Sequence, residues 1–169
     1  IAVLVVLVAI LIFATTKPDN FRVERSTTIK AAPEKVFALI NDFQRWTTWS
    51  PYEKKDPGMK RTYSGAASGT GAIYEWDGDK NVGKGRMEIT EATPSSRIVI
   101  KLDFLAPFEA HNTAEFTLQA QGDSTQVTWA MYGPANFISK LMSVFFSMDK
   151  MVGDDFAIGL ANLKAAAEQ

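Results

Sequence analysis

From residue 59 to residue 132 the chain repeats every second residue, in six separate stretches. Met59 to Ser64, Gly71 to Asp77, Val82 to Ala92, Arg97 to Leu105, Glu109 to Ala120 and Ser124 to Tyr132 each alternate in character and end at turn-forming residues. Successive strand side chains point to opposite faces, so the pattern predicts a sheet with one dry face and one wet face. Ile98, Ile100, Leu102 and Phe104 fall on one face, whereas Arg97, Lys101 and Asp103 share the other with Val99. The connections DGDKN at 77–81, TPSS at 93–96 and QGD at 121–123 are too short for crossovers and read as hairpin turns. Six strands joined in this way form an antiparallel meander.

A dry face needs cover, and the flanking segments supply it. After Pro134 the period becomes helical, and Val152, Phe156, Leu160 and Leu163 make one stripe of a helix of about twenty residues, roughly 30 Å long. On the other side of the meander, FRVERSTTIK at 21–30 reads as a first strand. PEKVFALINDF then places Pro33 in the first turn of a short amphipathic helix, and a second short helical piece carries Trp46 and Trp49 before Pro51 ends it. The predicted class is α+β: a curved seven-stranded antiparallel sheet around a long C-terminal helix, with two short helices after the first strand. Residues 136–148 stand apart, because they are largely apolar with Lys140 as their single charge.

Every Lys, Arg, Asp and Glu lies beyond residue 16, and residues 1–14 are wholly apolar. Three parts follow: a hydrophobic membrane-anchor segment at 1–16, a Pro-containing linker at 17–20, and one domain at 21–169. Fourteen helical residues reach roughly 21 Å, short of the roughly 30 Å of a bilayer's hydrocarbon, so an anchor here implies further apolar residues before Ile1. A cleaved signal peptide fits less well, since Ala14, Thr15 and Thr16 make a poor cleavage pattern. Burial of the segment against its own domain or a partner is the third reading. Orientation is not set, because Lys17 and Arg22 are diluted by Asp19.

Composition and motifs narrow the chemistry. A net charge of −1 gives no drive towards nucleic acid, and the absence of Cys excludes thiolate metal sites and Cys nucleophiles. Asp77, Asp79, Asn81 and Glu88 mimic a calcium loop, but Val82 stands where the turn needs Gly and Glu88 falls well along a strand. No metal and no cofactor is expected. Ser147 and Lys150 match S-x-x-K without its companion elements. Gly83 and Gly85, within a strand, mark a bulge or a close approach rather than a phosphate loop. The weak catalytic candidates are Glu75, Asp103 and His111, and His111 points to solvent if Asn112, Ala114 and Phe116 share the dry face. What remains is a stock of apolar groups suited to a small-molecule cavity. From the short helices come Trp46 and Trp49; from the sheet Tyr74, Trp76, Met87, Phe104, Phe116, Trp129 and Met131, with Asn112 as a polar handle; and from the last helix Met148, Val152 and Phe156. The alternative is that these residues only fill a core.

Four segments, IKAAPEKVFALINDFQRWTTWSPY at 29–52, GAIYEWDGDKNVGKGRMEI at 71–89, TQVTWAMYG at 125–133 and MDKMVGDDFAIGLANLK at 148–164, resemble the bacterial polyketide cyclase/dehydrase and lipid-transport domains, or SRPBCC proteins. These belong to the START-like, birch-pollen-allergen-like superfamily with the helix-grip fold. The resemblance implies a cavity between sheet and last helix that holds a hydrophobic small molecule, lipid-like or isoprenoid. It also leaves open a cyclase/dehydrase-like enzyme that works by positioning a flexible substrate, or a stress-related or co-chaperone-like interaction domain. Taken with the leader, it places the domain at the bacterial inner membrane through one N-terminal anchor.

Overall fold

The computed structural model describes residues 1–169. Seven strands, β1 (Asn20–Ile29), β2 (Lys60–Gly65), β3 (Ala72–Asp77), β4 (Lys84–Thr93), β5 (Arg97–Ala106), β6 (Ala110–Gln121) and β7 (Ser124–Pro134), form one sheet in the order β1-β7-β6-β5-β4-β3-β2. All pairings are antiparallel. The meander runs from β2 to β7, and β1 joins its far edge, so α+β and the curved seven-stranded sheet stand as expected. Alternation survives in the burial: Ile98, Ile100 and Leu102 are buried while Lys101 is exposed, and Ala114, Phe116 and Leu118 are buried while His111 is exposed.

Helix α5 (Met148–Ala167) lies along β1 inside the curve of the sheet. Ser147 caps it by accepting a hydrogen bond from the Lys150 amide, and Asp149 sits in its positive first turn. Its stripe of Phe156, Leu160 and Leu163 is buried, as periodicity predicts. Two glycines set how closely it approaches. At Gly159 a Cβ would come within 2.7 Å of the Trp129 ring and 2.9 Å of the Pro51 ring, and at Gly153 it would strike the Arg25 guanidinium. Gly159→Val is therefore expected to lift α5 off Trp129 and to cost about 2 kcal/mol. A denaturant titration that finds no loss in midpoint would refute this packing.

Helix α2 (Pro33–Ile40) and the 3₁₀ helix Phe43–Thr48 close one end of the grip. The last carbonyls of α2 lack intrahelical partners, and two tryptophans use them: Trp46 Nε1 donates to Ile40 O at 2.8 Å and Trp49 Nε1 to Leu39 O at 3.0 Å. Those bonds fix both indoles inside the sheet. Helix α3 (Tyr52–Lys55), a single turn, follows. On β4, Gly85 sits at a register shift, and the Trp76 ring fills the place of its Cβ at 2.3 Å. The strand glycine thus marks both a bulge and a close approach.

The apolar leader forms helix α1 (Ala2–Thr15), which packs against α4 (Phe137–Phe145). Helix α1 has fourteen residues, and no helix among residues 1–169 is long and apolar enough to cross a membrane. Its end is marked by Thr15 and Thr16, whose hydroxyls donate to the carbonyls of Ile12 and Phe13.

Candidate functional site

Between the inner face of the sheet, α3 and α5 lies a cavity of about 320 Å3, and 15 of its 20 lining residues are hydrophobic. It exists because the dry face of β3 to β7 is wider than one helix can cover, and α5 leans towards β1. Of the residues named from the sequence, Trp46, Tyr74, Trp76, Met87, Phe104, Trp129, Met131, Val152 and Phe156 line it. Four other candidates do not. Trp49 and Phe116 are wholly buried, and they pack edge to face at 6.0 Å beside Trp129. Asn112 stands against Gly133, where a Cβ would meet its Oδ1 at 2.5 Å, and Met148 packs against the core from the start of α5.

The lining also holds residues that pattern reading did not single out, above all Glu53, Tyr52, Lys55 and Asp155. Glu53 is 8% exposed, yet both of its oxygens are used: Tyr74 Oη donates to Oε1 at 2.7 Å and Arg61 Nε to Oε2 at 2.5 Å. A buried charge persists when it is paired and hydrogen-bonded in this way. Burial, reinforced by the bond to Glu53, drives the Tyr74 hydroxyl far above its ordinary value. Burial does the same to Tyr52, with the Asp155 carboxylate adding to it. Neither phenol ionises under ordinary conditions. Across the mouth, Lys55 Nζ on α3 pairs with Asp155 on α5 at 2.8 Å. Met151, Asn81 and Val82 complete the rim.

Trp129 carries an orphan. Its ring stacks on Phe156, with centroids 3.9 Å apart, but its buried Nε1 has no hydrogen-bond acceptor. The Trp49 and Trp46 rings stand almost perpendicular to it at 5.6 and 6.3 Å.

Glu75, Asp103 and His111 lie on the outer face of the sheet, which separates them from the cavity. Register sets them in one row with Arg86, in the order Glu75, Arg86, Asp103, His111 across β3 to β6. His111 Nδ1 is 2.7 Å from Asp103 Oδ1, and Nε2 is 3.0 Å from Glu109. Burial works to raise Asp103, but hydrogen bonds from His111 and Lys101 outweigh it and hold Asp103 below 3.8. The bonds to Asp103 and then Glu109 raise His111 above 6.5. Asp103 thus stabilises the fold above its unfolded pKa and loses that effect as pH falls through its lower folded value. His111 stabilises the fold below about 6.5, and this effect is lost as pH rises through its raised folded pKa. His111→Asn is expected to flatten the stability profile on the alkaline side of pH 6.5 while leaving cavity binding unchanged. Denaturant midpoints taken from pH 5 to pH 9 provide the check.

The calcium-like residues are also accounted for. Asp79 Oδ1 accepts the Asn81 amide of its own turn at 2.7 Å, Asp77 pairs with Lys84, and Glu88 on β4 pairs with Arg86 at 2.9 Å.

Similarity to known proteins agrees with this geometry. Residues 20–168 match the family model described as polyketide cyclase / dehydrase and lipid transport. No curated protein matches in sequence. Among solved structures, protein CV1439 of Chromobacterium violaceum is similar at 18% identity and a TM-score of 0.62, over 90% of this chain and 99% of that one. Ginseng major latex-like protein 151 of Panax ginseng is similar at 12% identity and a TM-score of 0.64, over 90% and 100%. DynU16, from the dynemicin biosynthetic locus, matches at 17% identity and a TM-score of 0.61, over 90% of this chain and 48% of its own. At these identities the likeness is one of fold, the helix grip. With the family model spanning nearly all of the domain, the chain belongs to the polyketide cyclase/dehydrase and lipid-transport family.

Proposed function

We propose that this chain binds or carries a hydrophobic small molecule, lipid-like or isoprenoid, in the cavity between sheet and α5, and that α1 attaches it to a membrane. The observation that carries the reading is the cavity itself: about 320 Å3, walled mainly by aromatic and Met side chains, with its few polar groups gathered at Glu53 and at the Lys55–Asp155 rim. Such walls favour apolar ligands through desolvation, and the sparse polar groups fix orientation. The family description, which includes lipid transport, supports the same reading. Native mass spectrometry and solvent extraction of the purified chain, followed by titration with fluorescent fatty acids and prenyl alcohols, tests it. Absence of both co-purified and added ligand would overturn it.

One observation favours a second reading, a cyclase/dehydrase-like enzyme. Glu53 and Tyr74 place a carboxylate and a phenol together in the cavity wall, 2.7 Å apart, where a flexible substrate would be held by shape. DynU16, a structural neighbour, comes from a biosynthetic locus. Tyr74→Phe decides between the two: an enzyme using this phenol loses turnover of a poly-β-keto substrate by at least tenfold, whereas a carrier keeps its ligand affinity within a few fold.

A further inference from the structure

Pairing register brings Asn20, Lys60, Asp77, Lys84, Ala106, Ala110 and Pro134 to one end of the sheet. The β3–β4 and β5–β6 hairpins turn at that end, α1 enters β1 there, and α4 leaves β7 there on its way to α5. Beyond residue 15, ten large apolar side chains stand exposed, and eight belong to this end. Leu105 and Phe108 project from the β5–β6 hairpin, five more come from residues 137–146, and Met151 joins this patch to the cavity rim. Tyr63 and Ile158 are the two found elsewhere.

Helix α4 is turned inside out. Phe137, Ile138, Met142 and Phe145 face outwards, while the Lys140 side chain is only 12% exposed and pairs with Asp19, and Ser143 is tucked in to donate to the Lys140 carbonyl. A helix on a water-facing surface does the reverse. Beside it α1, with no polar face at all, needs apolar surroundings on every side, and α4 supplies only one. Charge at this end is close to balanced, so the apolar side chains carry the attraction. Lys17, Lys60 and Lys80 make no ion pair, whereas Asp19, Asp77 and Asp149 are matched by Lys140, Lys84 and Arg25. Three further carboxylates offset the unpaired lysines: Asp56 and Asp79, which accept backbone amides, and Glu109, which lies beside His111.

We propose that this end of the domain docks face-on against a phospholipid bilayer, with α4 lying in the interfacial plane, α1 sunk into the hydrocarbon beside it and the Phe108 hairpin next to them. The cavity mouth at Met151 then opens onto hydrocarbon rather than water, and an apolar ligand passes between bilayer and cavity without being solvated. The purpose of the docking rests on the cavity reading, but its geometry does not, so the two fail separately.

The absence of Cys makes a clean test. Single cysteines at Phe108, Phe145, Tyr63 and Ile158, each labelled with an environment-sensitive nitrobenzoxadiazole dye, are titrated with vesicles of phosphatidylcholine alone or with 30% phosphatidylglycerol. Expected are a several-fold fluorescence gain at 108 and 145, its quenching by nitroxide-labelled acyl chains, and little change at 63 and 158. Phe145→Asp with Phe146→Asp, in the chain that keeps α1, is expected to weaken vesicle partition tenfold or more. Equal response at all four sites, no response at any, or undiminished binding of the double variant would overturn the proposal. So would dye responses that follow protein concentration without vesicles, which would assign the end to a second copy of the chain.

Discussion

Ala114→Phe should abolish ligand binding while leaving the protein at least as stable as the original. Ala114 is on the inner face of β6, 5% exposed, opposite Met131 in the register, and it lines the cavity. A phenyl ring placed there enters space that is already empty, so the usual cost of overpacking does not arise. It adds buried apolar area, worth about 1–2 kcal/mol if the ring packs against Met87, Leu102 and Met131. The ring also takes a large share of a space of about 320 Å3, leaving too little for a ligand of the class proposed. Affinity for a prenyl alcohol or fatty-acid probe should fall at least a hundredfold. Thermal midpoint and probe titration, measured on the same sample, separate the two effects. A variant that binds normally would place the ligand elsewhere, and one that unfolds would show that the space is not available to a side chain.

How far the cavity could be read from sequence depended on how each residue signals its position. Strand residues signal by alternation, and the dry positions of β5 to β7 were legible because one face is buried and the other wet. His111 followed from the same rule. Alternation gives the face, however, and not the place along it. Phe116 and Trp49 share the inner side with the cavity residues but are consumed by packing around Trp129, Phe116 stacked on its ring and Trp49 nearly perpendicular to it. Asn112 lies beyond the cavity's reach, held close to Gly133. Glu53 was hidden for a different reason. YEKKD at 52–56 reads as a solvated charge run, and the single turn of α3 is too short to show a period. What turns Glu53 inward is a pair of donors that lie 8 and 21 residues further on, Arg61 and Tyr74. A local pattern cannot report a partnership of that range. The leader was legible as apolar and too short to span; its seat on α4 was not, because a helix apolar on every side carries no sign of which face packs.

Glu53→Leu should be the most destabilising single change in the site. The carboxylate is the acceptor for two buried or half-buried donors, and a leucine of similar length removes both bonds at once. Tyr74 is 4% exposed, so its hydroxyl is left without a partner in the cavity wall, and Arg61 loses the charge that compensates its own desolvation. Hydrogen bonds to charged groups contribute about 1.5–3 kcal/mol each, and the added apolar contact offsets part of the loss, for a net cost of about 3 kcal/mol. Glu53→Gln tests the division of that cost. Its amide oxygen can keep the Tyr74 bond while the charge opposite Arg61 disappears, so it should cost about half as much. The double variant Glu53→Leu with Tyr74→Phe should recover about 1–2 kcal/mol, because the stranded hydroxyl is gone. Urea midpoints for these proteins and for Tyr74→Phe alone close the cycle. Equal stability of the two Glu53→Leu proteins, with and without the Tyr74 hydroxyl, would mean that this hydroxyl finds water or another partner, and that the carboxylate serves Arg61 alone.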